Sequence, residues 1–274
     1  MTIFLKNKIN TTEMDSNYFN FCEEMFRTWI ANNDNKEWHD FKELFDLEFL
    51  PEPYLTISNG NTEKTMIVMN NNPGIGMGHQ SILTIFSDSS SIKKSMSYNK
   101  ISTILGDYYL SKQFIKDCNG NTNAYNRGLK SVGFAKKLGY DYIISVETIP
   151  FHSGRLNKPK VLKLYKTSVY YRRYYEYLKE YLRDKSVILI SSINSQQSIT
   201  KESIIKNEWL MFQSSLINFS LQDCKIIGLN YKNSKITVAA AVHKNKLMLL
   251  SMGHNNFPII TDDKFKHILV NFKE

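Results

Sequence analysis

The sequence predicts a three-layer α/β/α fold: a central, mainly parallel sheet of about four strands covered on both faces, with helices added at the N-terminal side. Three observations point there. Short apolar runs fall at 65–69, 140–146, 187–191 and 246–251, each bounded by polar or turn residues. Helical periodicity separates them, and strands alternating with helices make a sheet that is buried on both faces. Finally, 274 residues with 42% hydrophobic content are enough for a proper core, and no repeat or Pro/Gly/Ser linker divides them. A single domain over 1–274 is expected, with 1–50 a helical extension packed on it.

The elements follow in order. From Tyr18 to Ile30 apolar residues recur at three- and four-residue steps, an amphipathic helix with Ser16 as its cap. A second helical stretch carries Trp38, Phe41, Leu44 and Phe45 and stops before Pro51 and Pro53. Asn59-Gly60-Asn61 lies between Tyr54–Ser58 and the apolar run Thr65–Met69, which predicts a hairpin entering a buried strand. The Lys-, Ser- and Asn-rich stretch from Ser87 to Asn126 suggests loops with short helices, followed by a helix from Arg127 to Leu138 and a strand from Tyr140 to Val146. Val161 to Asp184 predicts one long helix with seven tyrosines between Tyr165 and Tyr181; Tyr170, Tyr174, Tyr177 and Tyr181 share a face suited to packing on the sheet. A strand at Val187–Ser191, a helix from about Glu202 to Phe219 and three short apolar runs between Lys225 and Gly253 complete the chain.

Charge narrows the partners. There are 35 Lys+Arg against 26 Asp+Glu, a net of +9, so polyanions come first and nucleic acid leads them. Only six of the 35 are Arg, a Lys-rich balance that a compositional bias also produces. Cys22, Cys118 and Cys224 stand about a hundred residues apart without a C-x-x-C pair, which argues against a disulfide framework, a Cys-rich zinc site or a four-Cys iron–sulfur cluster. Met1–Ile9 lacks the apolar core of a signal peptide and no apolar run approaches membrane-spanning length, so a cytoplasmic location is expected.

In open α/β sheets the chemistry collects beyond the carboxyl ends of the strands. The first buried strand runs into Asn70-Asn71-Asn72-Pro73-Gly74-Ile75-Gly76-Met77-Gly78-His79. Its G-x-G-x-G spacing fits neither the dinucleotide fingerprint nor a P-loop. Asn70 to Gly74 resembles instead the first motif of the uracil-DNA glycosylase superfamily, a strand entering G-x-N-P-G or G-Q-D-P-Y. Further segments are similar to that family in the same order. Leu83-Thr84-Ile85-Phe86-Ser87 resembles its base-stacking segment, Ser145-Val146-Glu147 its base-reading strand end, and Val187–Ser191 with Asn194 and Gln196-Gln197 its third strand. Met252-Gly253-His254-Asn255-Asn256-Phe257-Pro258 resembles its catalytic H-P-S loop. The likeness covers Thr65 to Pro258. It departs at Asn70, which replaces a glycine; at Glu147, which replaces an Asn; and after His254, where Pro and Ser are missing.

The resemblance implies base flipping and hydrolysis of an N-glycosidic bond. Asn72 would hold the attacking water, and His254 would donate to the departing base. Phe86 would stack on that base; Asn70, Pro73, Gly74, His79 and His152 would line the pocket. For each there is an ordinary structural alternative: a turn-forming Asn before Pro, a satisfied His, a core Phe. Glu147 sharpens the choice of base. A carboxylate accepts from the exocyclic amine of cytosine, and a protonated one could donate to ring N3, so a cytosine-like base is expected rather than uracil. Gly74 replaces the bulky Tyr of strict uracil enzymes and leaves room for a larger base. Glucosylated hydroxymethylcytosine, the substrate class of family members serving phage defence, is the extension. Alternatively, Glu147 faces away and pairs with a basic residue.

Arg155 and Lys158 would contact phosphates, while Asn255, Asn256 and Phe257 would fill the gap left by the flipped nucleotide. No Lys stands at a matched motif position, which predicts a monofunctional glycosylase, without metal or cofactor, monomeric and salt-sensitive on DNA. The alternatives are a uracil-excising repair enzyme, a non-catalytic DNA-binding module of the same fold, and a nucleotide-binding α/β enzyme using Gly74 to Gly78. A nuclease is disfavoured, since Asp262 and Asp263 fall at a predicted helix start.

Overall fold

A computed structural model describes residues 14–31, 36–57, 65–73, 95–109, 111–117, 140, 142–193, 200–223, 225–231, 234–243 and 246–252. The predicted helix Arg127–Leu138 and the Asp262-Asp263 start lie outside them. The four predicted apolar strands are present: β2 (Thr65–Asn70), β3 (Tyr142–Glu147), β4 (Ser186–Ile193) and β7 (Lys246–Met252). They form a parallel core in the order β3-β2-β4-β7. Three more strands extend it antiparallel: β1 (Tyr54–Thr56) on β3 at one edge, and β5 (Lys225–Tyr231) with β6 (Ser234–His243) beyond β7. The result is an α/β fold on a seven-stranded mixed sheet.

The central runs of β2, β3 and β4 are apolar because both their faces are buried. On one face Ile67, Met69, Ile144, Val146, Val187 and Leu189 join the main core. On the other, Met66, Val68, Ile143 and Ile188 are buried as well. The expected hairpin between β1 and β2 does not form; β1 pairs with β3, Tyr54 opposite Val146, and β2 lies on the far side of β3. Turn residues at 59–61 say that the chain reverses, but not which strand the reversed segment will find.

Helix α1 (Met14–Ile30) starts before Ser16, which therefore does not cap it. The second helical stretch is a 3-10 helix over Lys36–Phe41. Within Ser87–Asn126 the described helices are α2 (Tyr98–Tyr109), longer than predicted, and α3 (Lys112–Asp117). The predicted long tyrosine helix is two: α4 (Lys158–Thr167) and α5 (Val169–Leu182). Ser168 breaks it. Its backbone is extended, and its Oγ accepts from the Tyr171 amide, capping α5 while its own amide closes α4 on Leu164. The next helix divides in the same way into α6 (Lys201–Ile205) and α7 (Glu208–Leu216), with Asn207 accepting from the Leu210 amide as the second cap.

Tyr170, Tyr171, Tyr174, Tyr175 and Tyr181 are buried in the core they share with α1 and the sheet, and Tyr177 is half-buried. Tyr181 stacks on Tyr18 at 4.9 Å between ring centres, and Phe21 meets Tyr170 at 5.0 Å. The stripe is packing, as its helical spacing predicts. Buried Lys246, at the start of β7, donates to the carbonyls of Leu182 and Lys185 where α5 ends, and burial pushes its pKa down to about 8. Among the described residues no helix is long and apolar enough to cross a membrane.

Candidate active site at the carboxyl ends of the parallel strands

Counted along the chain, the parallel core has the order second, first, third, fourth, so the chain passes from β2 to β3 on one side and then crosses to β4 on the other, reversing direction between β2 and β4. Such a reversal opens a crevice beyond the strand ends. The polar residues of the first motif stand at that point. Asn70 is the register partner of Glu147 on β3, and the chain beyond each strand continues the pairing. Both the amide and the hydroxyl of Thr148 donate to the Asn70 carbonyl, at 3.0 and 2.5 Å, and the Ile149 amide donates to that of Asn71 at 2.9 Å.

The three asparagines have different partners. Asn70 Nδ2 reaches across to β3, donating to Ser145 Oγ at 2.8 Å and Glu147 Oε1 at 3.3 Å. Asn71 engages α7: its Oδ1 accepts from Trp209 Nε1 at 3.0 Å and Gln213 Nε2 at 3.1 Å, and Gln213 also donates to Thr148 Oγ1. Half-buried Asn72 bonds to the segment after β3. Its Nδ2 donates to the Pro73 carbonyl at 2.8 Å and to Ser153 Oγ at 3.0 Å. Because a carbonyl only accepts, the nitrogen must face Pro73. The Asn72 carboxamide oxygen is thereby turned away and has no protein partner among the described residues.

Glu147 is buried. Its Oε1 accepts from Asn70, while its Oε2 is buried without a hydrogen-bond partner. Burial pushes its pKa well above the ordinary carboxyl value and the negative charge of Glu52 adds to this, with the Asn70 hydrogen bond opposing them. The carboxyl therefore retains its proton well above the usual range, and Oε2 is the oxygen left to carry it. It does not pair with Arg155, which is exposed. Glu52 is itself held, its Oε1 accepting from Tyr109 at 2.5 Å and lying 3.4 Å from His152 Nε2.

Comparison with protein-family models, curated proteins and solved structures gives no match.

The strand register thus brings together Asn70 and Glu147, while Asn72 and Pro73, just beyond β2, are tied to Ser153 after β3. His152 is placed differently from its expected pocket-lining role: it is 1% exposed, and its Nε2 meets the Leu50 carbonyl at 3.0 Å, so the ring joins β3's continuation to the segment before β1. Lys158, expected at phosphates, is half-buried with its ammonium 5.9 Å from the centre of the Trp209 ring. Gly74, His79, Phe86, His254, Asn255, Asn256 and Phe257 lie outside the described residues. Ser145, Ser153, Trp209, Gln213 and Glu52 escaped sequence reasoning. Each acts through a partner distant in the chain, and only the repeated Asn and the Ser two positions before Glu147 gave any signal.

Proposed function

We propose that the chain is a DNA glycosylase that hydrolyses the N-glycosidic bond of a flipped, cytosine-like base and leaves an abasic site. The supporting observation is that neighbouring strands end in an asparagine segment whose Asn72 amide nitrogen is held and in a buried carboxyl, Glu147, whose pKa is raised by burial. Bond cleavage leaves a sugar cation and a base anion, so catalysis needs a placed water and a donor to the base. Asn72 supplies the first. Pro73 and Ser153 hold its nitrogen, and Oδ1 accepts a hydrogen bond from the water that adds to the anomeric carbon. Glu147 supplies the second, its Oε2–H donating to ring N3 of a cytosine-like base, an interaction uracil does not offer because its N3 carries a proton.

Around these two, Phe86 stacks on the base, His254 donates to the base oxygen as charge develops, and the surplus of Lys draws in the phosphate backbone. Modified cytosines such as the glucosylated hydroxymethyl form are the substrates of interest, since the sequence has Gly74 where strict uracil enzymes carry a bulky Tyr. The test uses duplexes carrying a single cytosine, hydroxymethylcytosine, glucosylated hydroxymethylcytosine or uracil, with alkali to cleave at abasic sites. Strand cleavage at one or more cytosine forms is expected; cleavage confined to uracil contradicts the role given to Glu147.

A further inference from the structure

The segment from Ser153 to Lys158 is linked to the Asn70–Pro73 turn at both its ends. At one end, Ser153 Oγ accepts from Asn72 and the Ser153 amide donates to the Pro73 carbonyl at 3.4 Å. At the other, the Lys158 ammonium sits over the Trp209 ring, whose indole N–H donates to Asn71 at 3.0 Å. Between them the segment is open: a Cβ built on exposed Gly154 would meet no atom within 4 Å. α4 keeps its first residue in place through Asn157, which accepts from the Lys160 amide, and Pro159, which fits the first turn. This lysine, expected from the sequence at phosphates, stands far from the turn in the chain and is linked to it through Trp209.

We propose that Lys158 is an amine nucleophile that captures the abasic sugar formed at Asn72 and gives the protein a lyase activity on abasic DNA. The proposal rests on the glycosylase function for the origin of that sugar and goes beyond simple hydrolysis. The neutral amine forms a bond from Nζ to C1′ of the ring-opened aldehyde, whose oxygen leaves as water to give an imine. The imine acidifies C2′; its proton passes to solvent, the C3′–O bond breaks, and the 3′ phosphate departs with the electron pair. Water then hydrolyses the imine and returns the lysine. No electron is gained or lost. Burial pushes the Lys158 pKa down, which raises the share of neutral amine available for attack.

The test is borohydride trapping. Full-length protein is mixed with a duplex holding one preformed abasic site, sodium borohydride reduces any imine to a stable amine, and the adduct is located by peptide mass spectrometry. An adduct at Lys158 in the wild-type protein is expected, with loss of at least tenfold in Lys158→Gln. No adduct, or an adduct on another residue, overturns the proposal. Mapping on the wild-type chain decides the matter even if the variant misfolds. Base release from intact duplexes is followed in parallel. Release without an adduct overturns the lyase step alone, whereas an adduct at Lys158 without release upholds it and overturns the glycosylase function.

Discussion

Asn70, Asn71 and Asn72 are the same side chain three times over, and their partners divide them into a strand tie, a helix tie and a half-buried amide whose oxygen has no partner among the described residues. Glu147 carries the sharpest residue-scale prediction. Its proton affinity is raised in the folded chain, so both states hold the proton below the ordinary carboxyl pKa of roughly 4.3. As pH rises above that value the unfolded chain ionises first, and stability is lost up to the folded pKa. Glu147→Gln removes this term. Its melting temperature, relative to wild type, should rise as pH increases above the ordinary carboxyl range, a change that thermal melts across pH would follow; a constant difference would mean that the carboxyl pKa is not raised on folding. The sequence drew attention to Asn72 and Glu147 because each lies at or just beyond the end of an apolar run, in a motif-like segment. It could not show which asparagine oxygen has no partner among the described residues, since that depends on Ser153, Trp209 and Gln213 arriving from elsewhere in the chain.

At the scale of elements, hydrophobic period located the strands better than it located breaks and pairings. Ser168 interrupts a run whose apolar spacing continues without a gap, because one hydroxyl competes successfully for a backbone amide. The β1–β3 pairing was likewise hidden, and it depends on a close approach by α2. A Cβ on Gly106 would stand 2.1 Å from the Thr56 carbonyl oxygen, backbone of a strand fixed to β3. Gly106→Ala, which in an open helix stabilises by roughly 1 kcal/mol, should here cost about 1–3 kcal/mol in urea melts. A neutral or stabilising result would show that α2 does not press on β1.

For the whole molecule, the order of the parallel strands does most to connect sequence with chemistry. It sets the end of β2 beside that of β3 on one flank and beside that of β4, where the connections diverge, on the other, so Asn70 and Glu147, distant in sequence, are register partners at one end of one sheet. On the proposed function, the net charge of +9 would draw a polyanion toward the half-buried Asn72 amide and the Glu147 carboxyl. The central claim is that Asn72 holds the water. It is tested most directly by single-turnover base release from a duplex bearing a cytosine form the wild-type protein cleaves, with DNA binding measured beside it. Asn72→Ala should slow release by about 100-fold or more while DNA affinity changes little; release at the wild-type rate would contradict the account.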